Sequence, residues 1–119
     1  MSGLPSFLPG VDVASGLARV AGNAKLYIKL LHKVAEEAPT IKQSLSAAIV
    51  DGDAVKVREV AHSLKGAAGN LSITKVAEAA QQVEQAAKAE DFAMLFVHLD
   101  SLDEAFEQFV SVVNGLDIG

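Results

Sequence analysis

From Val55 to Ser72 the apolar residues return every three or four positions, at Val57, Val60, Ala61, Leu64, Ala68 and Leu71. At about 100° per residue they line up as one stripe along a helix. His62 falls about 150° from the centre of that stripe, which turns it toward water. Around it on the wheel lie Arg58, Lys65, Gly66 and Gly69. A glycine inside a helix costs about 1 kcal/mol relative to alanine. Two of them on the face that carries His62 call for a reason, and room for something large to approach the imidazole is one.

The rest of the chain reads as more helix. No strand-like alternation, hairpin signal or internal repeat appears. Asp12 caps a short helix over Val13–Val20, which Gly22-Asn23 stops. Ala24–Ala38 follows, with Leu26, Tyr27, Leu30, Leu31, Val34 and Ala38 inward and Lys25, Lys29 and Lys33 in water. Pro39 is expected to break or kink this helix, and Thr40 to cap a further stretch, Ile41–Val50. Asp51-Gly52-Asp53 is a turn that caps the His62 helix, Ala54–Asn70. Ser72 or Thr74 caps the next helix, with Ile73, Val76, Ala77, Ala80, Val83 and Ala87 inward. The last helix starts at Glu90-Asp91, buries Phe92, Leu95, Phe96, Leu99, Leu102, Phe106, Phe109, Val110 and Val113, and ends at Gly115. Short loops between long helices predict an all-α fold, an antiparallel up-down four-helix bundle with a short additional N-terminal helix. Residues 1–10, with two prolines, two glycines and no period, read as a linker or tether ahead of one domain over 11–119.

Composition narrows the function classes. Fifteen acidic against ten basic residues leave a net charge of −5. No basic stripe is available for nucleic acid. No apolar run approaches the roughly 20 residues of a membrane span, and the N-terminus lacks the pattern of a signal peptide. A cytoplasmic protein is the expectation, with a membrane tether possible only through segments outside this chain. With no cysteine, disulfides, thiolate metal sites and thiol nucleophiles are excluded.

The chemistry concentrates at His62. Neutral imidazole, with a pKa of about 6.5, is a good nucleophile near pH 7. Positive charge beside a phosphoryl group stabilises its transfer. Lys65, one turn on, is placed to supply that charge, and Arg58 could assist from the other side. No base–orienter pair for acyl transfer and no glycine-rich nucleotide loop is present. The chain has a nucleophile and a charge but no machinery to activate a donor, which points to a carrier.

His62-Ser63-Leu64-Lys65-Gly66, followed by Ala67-Ala68-Gly69-Asn70-Leu71, resembles the signature of histidine-containing phosphotransfer (HPt) domains. Glu84, in the next helix, falls where relatives usually have Glu or Gln. Gly10-Val11-Asp12-Val13 and Gly16-Leu17-Ala18-Arg19-Val20 resemble the start of HPt domains at the ends of hybrid sensor kinases. Ser72 is a departure, since relatives often have Gly there. The resemblance implies a phosphorelay intermediate of two-component signalling. His62 would accept a phosphoryl group from one receiver-domain aspartate and pass it to another. Lys65 would stabilise the phosphoryl group. Gly66, Gly69, Arg58, Ser63 and Glu84 would belong to the docking face. No cofactor is expected on this chain, because Mg²⁺ would come from the receiver. The expected protein is a monomeric phosphocarrier without ATP-dependent kinase activity.

Two rival readings carry less. Glu59-x-x-His62 matches the spacing of di-iron bundles, but such sites need two motifs and two more carboxylates, all pointing inward. Lys29 and Leu95 stand where His32 and His98 would need a glutamate. A purely structural helical adaptor is the other alternative, and it predicts that nothing depends on His62.

Overall fold

The computed structural model describes residues 4–116 and contains five helices. They are α1 (Val13–Arg19), α2 (Ala24–Val50), α3 (Ala54–Asn70), α4 (Thr74–Lys88) and α5 (Phe92–Asn114). Among the described residues there is no strand, only an isolated bridge between Leu8 and Val11.

Side-chain caps start four of the helices. Asp12, Asn23, Asp53 and Asp91 each accept a hydrogen bond from the backbone N–H three residues on, satisfying a donor that the first turn leaves free. α4 starts differently. Its N-cap is Ile73, which makes no side-chain cap bond. Thr74, expected as a cap, instead donates its hydroxyl hydrogen to the Gly10 carbonyl.

The four long helices pack in a ring, α2 on α3, α3 on α4, α4 on α5 and α5 back on α2. Tyr27, Leu31, Leu45, Val57, Ala61, Val76, Val83, Leu95, Leu102 and Phe106 fill the interior at 1 % exposure or less. Alanines at Ala61, Ala68, Ala80 and Ala87 let α3 and α4 approach closely.

Pro39 does not end its helix. α2 runs unbroken for 27 residues across it, and Thr40 lies inside rather than at a cap. The proline ring faces water, where the carbonyl it leaves unpaired can be hydrated. Burial of Val34, Ala38, Leu45 and Ile49 on either side keeps the helix continuous across it.

Two inward assignments are corrected as well. Leu26 is 41 % and Phe96 55 % exposed. Both sit near the first turns of long helices, where the neighbouring elements do not cover them.

α3 ends at Asn70, as the spacing predicts. Its C-cap is Leu71, and the chain reverses at Ser72 with φ +56°. That left-handed conformation disfavours any residue with a Cβ. Ser72 is buried, and its hydroxyl is bonded to the Ser15 hydroxyl at 2.9 Å.

The expected tether is mostly attached. Residues 1–3 lie outside the described residues, but Leu8 is 5 % exposed and joins the core. The Gly10 carbonyl accepts from Lys75 N–H, and Asp12 N–H donates to the Ser72 carbonyl. The N-terminal segment is thus laced to the turn between α3 and α4.

Candidate functional site

α3 carries His62 outward because Val57, Ala61, Leu64 and Ala68 take its inner face. The side chain is 68 % exposed. Its Nδ1 lies 2.8 Å from Oε2 of Glu84 on α4. The other Glu84 oxygen, Oε1, is 2.8 Å from Nζ of Lys65. Lys88 Nζ stands 4.0 Å from Oε2. One carboxylate therefore underlies an imidazole and an ammonium that both come from α3.

Glu84 corrects an expectation. The resemblance puts it on the docking face, yet its side chain is only 6 % exposed. It lies in the inward stripe of α4 with Ala80, Val83 and Ala87, beneath the side chains it holds. A buried charge persists only when paired, and here the pairing is complete. The hydrogen bond from Lys65 foremost, and that from His62 after it, hold the carboxyl below the usual glutamate range against the opposing push of burial.

This fixes the imidazole. An ionised carboxylate can only accept, so Nδ1 carries a proton, and in the neutral ring the lone pair is on Nε2. Nε2 has no hydrogen-bond partner among the described residues. In that tautomer the lone-pair nitrogen is the one left without a partner, on an exposed side chain.

Lys65 is less free than a simple surface lysine, at 36 % side-chain exposure and ion-paired. Gly66 and Gly69 follow along the helix. A Cβ built on either meets nothing within 4 Å, so the chain's own packing requires neither glycine. Arg58 and Ser63 are exposed on α3 on either side of the imidazole. The other histidines differ. His32 is half-buried with Nε2 3.3 Å from the Leu116 carbonyl, and His98 is half-buried on α5.

One member of the cluster, Lys88, escaped the sequence reading, and a second, Glu84, was read for the docking face rather than for support beneath the imidazole. Glu84's supporting position beneath the site was signalled by an acidic residue within an Ala/Val stripe, which requires a buried cationic partner. Lys88, at i+4 from Glu84, gave no signal beyond ordinary helix pairing. Among the described residues no three His, Asp or Glu side chains gather as a metal site, and no helix is long and apolar enough to cross a membrane.

A sequence profile of the Hpt domain family matches residues 29–111, from early α2 to near the end of α5. No curated protein and no solved structure matches the chain. The matched span contains the His62–Lys65–Glu84 cluster and all four helices of the ring over most of their lengths. The chain belongs to the Hpt domain family, and it works in histidine phosphotransfer within two-component phosphorelays, exchanging phosphoryl groups with receiver domains.

Proposed function

We propose that Nε2 of His62 is the phosphoacceptor. The observation that carries this is the hydrogen bond from Nδ1 to buried Glu84, which selects the tautomer in which the neutral ring presents Nε2 as its lone-pair nitrogen on an exposed side chain. Its lone pair attacks the phosphorus of an aspartyl phosphate on a receiver. The bond from phosphorus to the aspartate oxygen breaks, and the aspartate leaves as a carboxylate. The imidazole becomes cationic while keeping its Nδ1 proton, and Glu84 stabilises that cation. The carboxylate of a second receiver reverses the step. Lys65, held beside His62 by the same carboxylate, supplies positive charge to the phosphoryl oxygens. Gly66 and Gly69 leave clearance for the docking receiver, with Arg58 and Ser63 at its edges.

Mg²⁺ belongs to the receiver in this reading. Both Glu84 oxygens are already engaged by His62 and Lys65, which leaves that carboxylate unsuited to a metal. The ring packing and short turns support an antiparallel up-down arrangement of α2 to α5, with α1 as the additional helix. The net charge of −5 speaks against nucleic acid as a partner, and a cytoplasmic, monomeric phosphocarrier without kinase activity of its own goes with this reading. No observation favours a metal-binding or purely structural bundle.

The test is incubation with a phosphorylated receiver domain and Mg²⁺. Acid-labile, alkali-stable label appears on this chain and disappears in His62→Gln. Label that persists in the variant places the acceptor elsewhere.

A further inference from the structure

The transfer chemistry uses only one flank of His62. On the other flank an open groove of about 830 Å³ runs between α2 and α3. Val34 and Leu64 are buried in its floor, and Ile41 and Val60 are half-buried there. Along α3 it spans Lys56 to Ala67, about 16 Å at 1.5 Å per residue. Ser63, the residue after the phosphoacceptor, lines it, so the groove opens directly beside the imidazole.

Its charge is one-sided. Glu36 and Glu37 on α2 and Glu59 on α3 line it and are exposed, against the single cation Lys56. The ion pairs of the described residues are Lys42–Asp103 and the three that converge on Glu84. Among the described residues, none neutralises the three groove carboxylates. Toward α4 the sign is opposite, with Arg58, Lys65 and Lys88. His62 stands on the boundary between an acidic and a basic side.

A receiver whose aspartate reaches Nε2 must cover Ser63 and Glu59, which flank the imidazole. Covering unpaired carboxylates costs solvation unless the partner brings opposite charge, and like charge is rejected. We infer that this groove is a specificity-determining part of the receiver interface. It takes an apolar ridge on the receiver flanked by lysine or arginine, which pair with Glu36, Glu37 and Glu59. The inference rests on His62 being the phosphoacceptor, because that is what brings the receiver to this face.

The experiment uses the full chain and a receiver domain that exchanges phosphoryl groups with it. Binding is measured by calorimetry at low and high salt, and transfer is followed across receiver concentrations. Glu36→Lys with Glu37→Lys is expected to weaken binding roughly tenfold and flatten its salt dependence, with the loss appearing in KM. A charge-matched control, Glu78→Lys with Glu104→Lys, changes two exposed glutamates on the α4–α5 groove and is expected to bind as the parent does. Unchanged affinity in the groove variant overturns the inference, as does equal weakening in both variants, since the effect would then be one of net charge. Circular dichroism confirms folding of each variant, and Glu36→Gln with Glu37→Gln is expected to weaken binding in the same direction by a smaller factor. If a His62→Gln chain still takes acid-labile label from the receiver, it is the phosphoacceptor assignment that fails, independently of the groove.

Discussion

Glu84 does at residue scale what no exposed group could. Among the described residues it is the one charged side chain withdrawn into the core, and it holds the proton on the His62 nitrogen opposite the proposed phosphoacceptor. Its ionisation is tied to stability with a definite sign. A carboxyl whose folded pKa is lowered contributes stability above its unfolded value, about 4.3, and loses it as pH falls through the folded value. Urea unfolding should therefore show a steeper loss of stability as pH falls below about 5 in the parent than in Glu84→Gln. Parallel profiles would mean that the carboxylate is not held by Lys65 and His62. His62, Lys65, Gly66 and Gly69 were legible in the sequence because helical spacing alone puts them on one face. The arrangement beneath them was not, because its geometry depends on how α4 docks, with Glu84 22 residues further along the chain.

At element scale, caps and turns were readable and tertiary override was not. The bounds of α3 follow from Asp53 and from the small-residue run, and they fall where the spacing put them. Pro39 misleads because proline's local penalty, about 3 kcal/mol in a helix interior, is outweighed by packing of α2 against both α3 and α5. Replacing it restores one backbone hydrogen bond, and Pro39→Ala should raise stability by about 1–3 kcal/mol in denaturant titration. A loss of stability would show that the ring itself is needed in the α2–α5 groove it lines. Near Tyr27, close fit replaces periodicity as the controlling factor. Its hydroxyl donates to the Leu71 carbonyl at 2.6 Å, and burial first, then the nearby Asp12 charge, raise its pKa to about 12. A Cβ on Gly16 would overlap that phenol, so this α1 glycine is there to admit the ring of α2.

Over the whole molecule, the chain's first described residues behave as part of the fold. Leu8 sits in the core, and Gly10 and Asp12 bond to Lys75, Thr74 and Ser72. A proline- and glycine-rich stretch carries no period, so its attachment could not be read before the turn it meets was known. Leu8→Ala should cost about 2–3 kcal/mol, whereas a dangling segment would lose nothing measurable by thermal melting. The ring of helices, by contrast, was legible from stripe spacing and loop length together. Gly66 and Gly69 stand apart from all this packing, since nothing in the protein leans on them. Alanine at either should add about 0.5–1 kcal/mol of stability, seen as a higher melting temperature. A laboratory search for heat resistance alone would consequently settle on those two positions, and under the clearance role proposed for them it would return sturdier molecules that seat their signalling partners less well.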